Sequence, residues 1–187
     1  STGMATLGEI EEVIKAISIH ESNNKIILLH CISWYPAEIE TSNLQYIKTL
    51  ENAFGYPVGY SDHTLGINMT VAARALGAVF FEKHFTTDSK LFGPDHGASL
   101  NPNELEDLVK GIREVELGLG SSVRKFNDKE INQRKVHRRS IVIKTKIKEG
   151  ELFSLENLTI KRPGIGIKPK HLYQILRKTA NKNLNSE

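Results

Sequence analysis

Apolar residues recur at three- to four-residue spacing through Leu7, Ile10, Val13, Ile14 and Ile17, which predicts an amphipathic helix over 7–20 with one buried stripe. Thr6 is placed to cap it, with Glu9 completing a capping box. The pattern then changes. Ile26, Ile27, Leu28 and Leu29 are continuous and too few for a helix, so 25–30 reads as a parallel strand covered on both faces and ended by His30-Cys31-Ile32-Ser33-Trp34-Tyr35-Pro36. A helix over 43–53, a strand over 58–61, a helix over 67–76 capped by Gly77 and a strand over 78–81 follow. Asn101 and Pro102 open a longer helix that turns Leu105, Leu108, Val109, Ile112, Val115 and Leu119 inward. Helices and strands alternate with short connections, which requires parallel strands joined by helical crossovers, as in a barrel or a doubly wound sheet.

Beyond residue 120 the apolar periodicity stops. Residues 121–138 are rich in charge and poor in apolar side chains, and read as an exposed linker between a domain at 1–120 and a small β-rich domain at 139–187. Stretched at about 3.3 Å per residue, such a linker carries the small domain well beyond its own first domain. Within that domain 140–143 reads as a strand, 148–151 as a turn and 155–158 as a helical turn.

Composition narrows the classes. A chain of 187 residues with 39% hydrophobic content can pack a core. A net charge of +3 is too small an excess to imply a polyanionic partner, and no aromatic residue interleaves the basic ones between Arg134 and Arg139, so nucleic acid is not expected. One cysteine, Cys31, cannot form an internal disulfide. No secretory pattern or membrane-spanning apolar run is present, and a reducing cytoplasm fits best.

The candidate chemistry lies at two strand ends. Side chains alternate along a strand, so Ser61 and His63 share one face, and Glu82 and His84 share one face of the next strand. One histidine at a strand end is usually structural. Two at equivalent ends of neighbouring parallel strands, about 4.8 Å apart, can hold one metal ion and leave positions open for water and substrate. Glu82 either orients a ligand from behind or belongs to a structural hydrogen-bond network. His30 and Cys31 read as structural, and Lys83, on the face opposite His84, as a side chain reaching outward between helices.

The motifs STGM, LLHCISWYP, VGYSDHTLGI, EKHFTTD, GPDHGASLNPNEL, RRSIV and KRPGIG occur in order over nearly the whole chain, and together the sequence resembles the sialic acid synthase family. The resemblance implies an α/β fold: the C-terminal part of a (β/α)8 TIM barrel followed by a small antifreeze-like (SAF, β-clip) domain. It also implies a domain-swapped homodimer. The implied reaction condenses phosphoenolpyruvate with N-acetylmannosamine or a related hexosamine to a nonulosonic acid of the N-acetylneuraminate type and phosphate. The alternatives are legionaminic or pseudaminic acid synthesis, or an inactive fragment that only binds sugar or dimerises; by resemblance the GPDH motif leans towards sialic or legionaminic acid rather than pseudaminic acid.

By the same resemblance His63 and His84 hold a divalent ion, manganese first and magnesium or cobalt otherwise. Ser1, Ser33 and Ser61 contact phosphoenolpyruvate, and Tyr35 and Asp95 contact the amino sugar. Arg162 comes from the partner subunit's small domain over the sugar's N-acyl group. His96 either helps bind the sugar or is a solvent-facing loop residue. The family's lysines and other substrate contacts from strands ahead of STGM have no counterpart in these 187 residues, so the chain is expected to be a piece of the barrel with a shortened small domain, poorly soluble by itself.

Overall fold

The computed structural model describes residues 1–20 and 25–186. The chain divides into two compact units, Ser1–Ser121 and Ser122–Glu187. In the first, α1 (Leu7–His20) starts on the expected capping box: Thr6 N donates to Glu9 Oε2 at 2.7 Å and Glu9 N to Thr6 Oγ1 at 3.3 Å. β1 (Leu28–Cys31), α2 (Tyr46–Phe54), β2 (Val58–Asp62), α3 (Asn68–Ala75), β3 (Phe81–Lys83) and α4 (Pro102–Leu119) follow. The three strands form one parallel sheet in the order β1-β2-β3. Ile10, Leu28, Ile47, Leu50, Val58, Tyr60, Ala73 and Ala78 make the core between sheet and helices.

Two boundaries moved for identifiable reasons. α2 begins three residues late because Asn43 takes a left-handed φ of 43°, a conformation asparagine tolerates and a helix does not. The last strand also sits later than the apolar run that announced it. Val79 N still donates to Val58 O at 2.9 Å and Phe80 O accepts from Tyr60 N at 2.8 Å, but the paired ladder is Phe81–Lys83, which brings Glu82 into the strand and leaves His84 one residue past its end. Gly59 lets β2 fit between its neighbours, since a Cβ there would stand 2.4 Å from both Leu29 Cδ2 and the Phe80 carbonyl.

The second unit corrects the linker reading. Within 121–138 lies a helix, α5 (Asp128–His137), whose cap Asn127 accepts from Glu130 N at 2.8 Å. It buries no residue, so no apolar stripe marks it. Its signal is the cap, with Asp128 and Glu130 in the first turn and Arg134, Lys135 and His137 in the last, opposing the helix dipole at both ends. Ten helical residues rise about 15 Å where ten extended ones span about 33 Å, so the greatest reach of the segment is shorter than that of a fully stretched linker. β4 (Ser140–Ile143) and β5 (Leu158–Lys161) pair antiparallel, α6 (Leu172–Ile175) follows, and Ile147, Leu158 and Ala180 form a separate small core. No helix among the described residues is long and apolar enough to cross a membrane.

Candidate metal and substrate site

Strand register assembles the site. Cys31, Ser61 and Glu82 are direct neighbours across β1, β2 and β3, so they lie in one layer on one face of the sheet. Two residues further along, on the same face, stand Ser33, His63 and His84. Ser61 donates its hydroxyl to Glu82 Oε2 at 2.6 Å. The His63 and His84 rings are 5.4 Å apart and nearly perpendicular at 85°.

His63 is 7% exposed and its Nδ1 lies 2.7 Å from the Ile32 carbonyl. A carbonyl only accepts, so Nδ1 carries the proton and the neutral ring keeps its lone pair at Nε2. Cys31 Sγ packs 3.8 Å from the same Nδ1. One donor atom each from His63, Glu82 and His84 lies within 4.8 Å of the others. Two imidazole nitrogens and a carboxylate oxygen suit a divalent first-row metal, and the carbonyl behind His63 is the kind of partner that orients a metal-binding imidazole. The residues fit a metal ion.

Tyr35 closes one side, its ring 4.1 Å from that of His63 and 5.2 Å from that of His84. Loss of solvation raises the phenol above its ordinary range, with Cys31, Glu82 and Asp95 adding in the same direction. Ser33 meets the 1–3 segment: a Cβ on Gly3 would fall 2.1 Å from Ser33 Oγ, so any larger residue there would have to turn the Ser33 hydroxyl away. Thr2 fixes the segment beside β1 by donating both N and Oγ1 to the Leu29 carbonyl, at 2.8 and 2.9 Å, and Ser1 is exposed ahead of it. Asp95 is exposed in the loop after β3, where its carbonyl accepts from Ser99 Oγ at 2.7 Å. His96 in that loop is anchored on buried Thr86, Nδ1 to Oγ1 at 2.8 Å. Arg162 is exposed immediately after β5 and belongs to the second unit.

Sequence reasoning brought the two histidines together and left Glu82 between two roles. It misplaced Lys83. That side chain does not reach into solvent: it is 3% exposed and its Nζ is 3.0 Å from Asp62 Oδ2. Opposite charges one residue before each histidine were the available signal, and it has meaning only once the register pairs them.

A run of parallel β/α units with a metal-competent cluster at its strand ends, followed by a small β-rich unit, places the chain among α/β proteins whose sites lie at the C-terminal ends of parallel strands. Residues 1–124 match the NeuB family and residues 138–186 the SAF domain, and the chain belongs to the NeuB family. It is 45% identical over its whole length to an N,N'-diacetyllegionaminic acid synthase of Campylobacter jejuni, covering 56% of that protein. It is 38% identical over 98% of its length to a pseudaminic acid synthase of the same species, covering 53% of it. The solved N-acetylneuraminic acid (sialic acid) synthetase of Leptospira borgpetersenii matches 70% of this chain and 45% of its own, at 36% identity and a TM-score of 0.63. The chain therefore spans about half the length of the curated relatives it matches. The first unit is the C-terminal part of a (β/α)8 barrel and the family is one of nonulosonic acid synthases.

Proposed function

We propose that this chain carries the metal-holding part of a nonulosonic acid synthase site, in which phosphoenolpyruvate condenses with an N-acyl hexosamine. The observation that carries the reading is the grouping of His63, Glu82 and His84 on one face at the ends of two parallel strands. A divalent ion held by the two histidines, manganese in this reading, supplies Lewis-acid polarisation of the sugar aldehyde. The enol carbon forms a bond to the aldehyde carbon, whose oxygen gains a proton as water adds at the enol-phosphate carbon and loses one; the C–O bond to phosphate then breaks, phosphate leaves and a ketone remains.

The chain's own side chains bind and orient. Ser1 and Ser33 offer hydroxyls to the phosphate and carboxylate of phosphoenolpyruvate, and Ser61 joins them when its one O–H turns from Glu82 to the substrate. Glu82, held by the Ser61 hydroxyl, keeps a carboxylate oxygen facing the two imidazoles. Tyr35 and Asp95 hold the sugar, and Arg162 from the partner of a domain-swapped dimer hydrogen-bonds its N-acyl oxygen and excludes water. Holding two substrates in one geometry is worth up to about 7–11 kcal/mol of barrier in favourable cases.

A more specific substrate reading is favoured by one comparison. Identity to the N,N'-diacetyllegionaminic acid synthase is 45% against 38% for the pseudaminic acid synthase, over nearly equal lengths. A diacetamido hexose then takes the place of N-acetylmannosamine. The test is phosphate release from phosphoenolpyruvate with Mn2+ and either sugar. It is run on the 187-residue chain and on a protein extended ahead of Ser1 to the length of its relatives. Turnover with the diacetamido sugar, in the extended protein alone, is expected. Phosphate release with neither sugar in the extended, metal-loaded protein would overturn the reading.

A further inference from the structure

Behind the candidate metal ligands, on the helix side of the same two strand ends, Asp62 and Lys83 are register partners on β2 and β3. Their side chains are 0% and 3% exposed, with Nζ 3.0 Å from Oδ2. Among the described residues, the pair is also bonded to Thr64, next to His63, and to Thr70 on α3. Asp62 Oδ1 accepts from Thr64 N at 2.9 Å and Thr64 Oγ1 at 2.8 Å, and Oδ2 accepts from Thr70 Oγ1 at 2.6 Å. Lys83 Nζ also donates to the Thr64 carbonyl at 2.6 Å.

A buried ion pair is a poor way to gain stability, because desolvating two charges offsets their attraction. Its worth here is geometric. The residues on both sides of His63, Asp62 and Thr64, are tied to Lys83, the residue before His84. His63 itself is held from the other direction, its carbonyl accepting from Ala37 N at 2.8 Å and its Nδ1 donating to the Ile32 carbonyl.

We propose that the Asp62–Lys83 pair, with Thr64 and Thr70, positions His63 against His84 and so tunes the affinity of the site for its metal ion. These are positioning residues: none of them faces the cluster. The proposal rests on the metal reading above. An ion bound through two imidazoles on separate strands tolerates little change in their separation, and the pair is the side-chain link that spans those strands on the outer face.

The experiment is a Mn2+ titration of the chain, read by the electron paramagnetic resonance signal of free Mn2+, with thermal unfolding of each variant in parallel. Lys83→Met and Asp62→Asn should weaken Mn2+ binding by about tenfold or more. Leu50→Ala, a core truncation away from the site, should lower the unfolding temperature and leave Mn2+ affinity unchanged. If the charge variants do not fold, Thr70→Val decides. It removes a single hydroxyl donor from Asp62 without unpairing a charge, and it should weaken Mn2+ binding in the same direction while remaining folded. Folded variants with Mn2+ affinity within about twofold of the unsubstituted chain would overturn the proposal while His63→Ala still abolishes binding. If His63→Ala also binds normally, the metal reading falls and takes this one with it.

Discussion

His30 and His63 show how burial and a carbonyl partner set the role of an imidazole. His30 is 3% exposed, its Nε2 is 2.7 Å from the Ser42 carbonyl, and Tyr46 and Tyr60 stand 5.4 and 5.6 Å from its ring. Burial lowers its pKa below the ordinary 6.5, with the Ser42 bond acting against that shift. The unfolded chain then takes up this proton before the folded one does. His30 therefore favours the folded state above pH 6.5, and the advantage is lost as pH falls below that value. Unfolding temperature should drop between about pH 7 and pH 5, and drop less in His30→Gln, as calorimetry across that range can show. A pH-independent difference between the two proteins would contradict the assignment. The pairing of His63 with His84 was legible because alternation along a strand is independent of context. The fate of Lys83 was not, because its partner sits on another strand and only the register brings Asp62 beside it.

At the scale of elements, legibility followed the source of each element's stability. α4 announced itself through Asn101 and Pro102, and the capping box is present: Glu104 N donates to Asn101 Oδ1 at 3.1 Å and Asn101 N to Glu104 Oε2 at 2.9 Å. Asn101→Ala should cost about 1 kcal/mol in urea unfolding, and Asn101→Ser should restore most of it. α5 stayed hidden because it buries nothing and rests on local charge and capping, to which a search for apolar periodicity is blind. Gly59 makes a sharper test of the sheet. A Cβ there meets backbone as well as side chain, so Gly59→Ala should destabilise by about 1–3 kcal/mol or more, with the loss spread to the β1 and β3 pairings in hydrogen exchange. An unchanged protein would mean the strands sit further apart than described.

At the scale of the whole molecule, apolar side chains lie exposed at both edges of the sheet. Val13 and Ile27 are 58% and 44% exposed beside β1, while Phe85 and Val109 are 52% and 50% exposed beyond β3. β1 and β3 each have one strand neighbour in the described sheet, and a closed barrel leaves no such edge. The family relationship and the half-length match agree with a larger barrel around these strands. Arg162 tests the proposed sharing between subunits. Mixing an Arg162→Ala protein with a His63→Ala protein, both at the length of the relatives, should restore turnover, because one site in the mixed dimer then has both residues. Confirmed mixed dimers without activity would place the arginine's role within its own subunit or outside the reaction.

One ion held by His63 and His84 is the centre of the proposed chemistry, and calorimetric titration with Mn2+ tests it most directly. The unsubstituted chain should bind one equivalent, and His63→Ala and His84→Ala should each abolish that binding while retaining the fold by circular dichroism. Unchanged Mn2+ affinity in both variants would contradict the account.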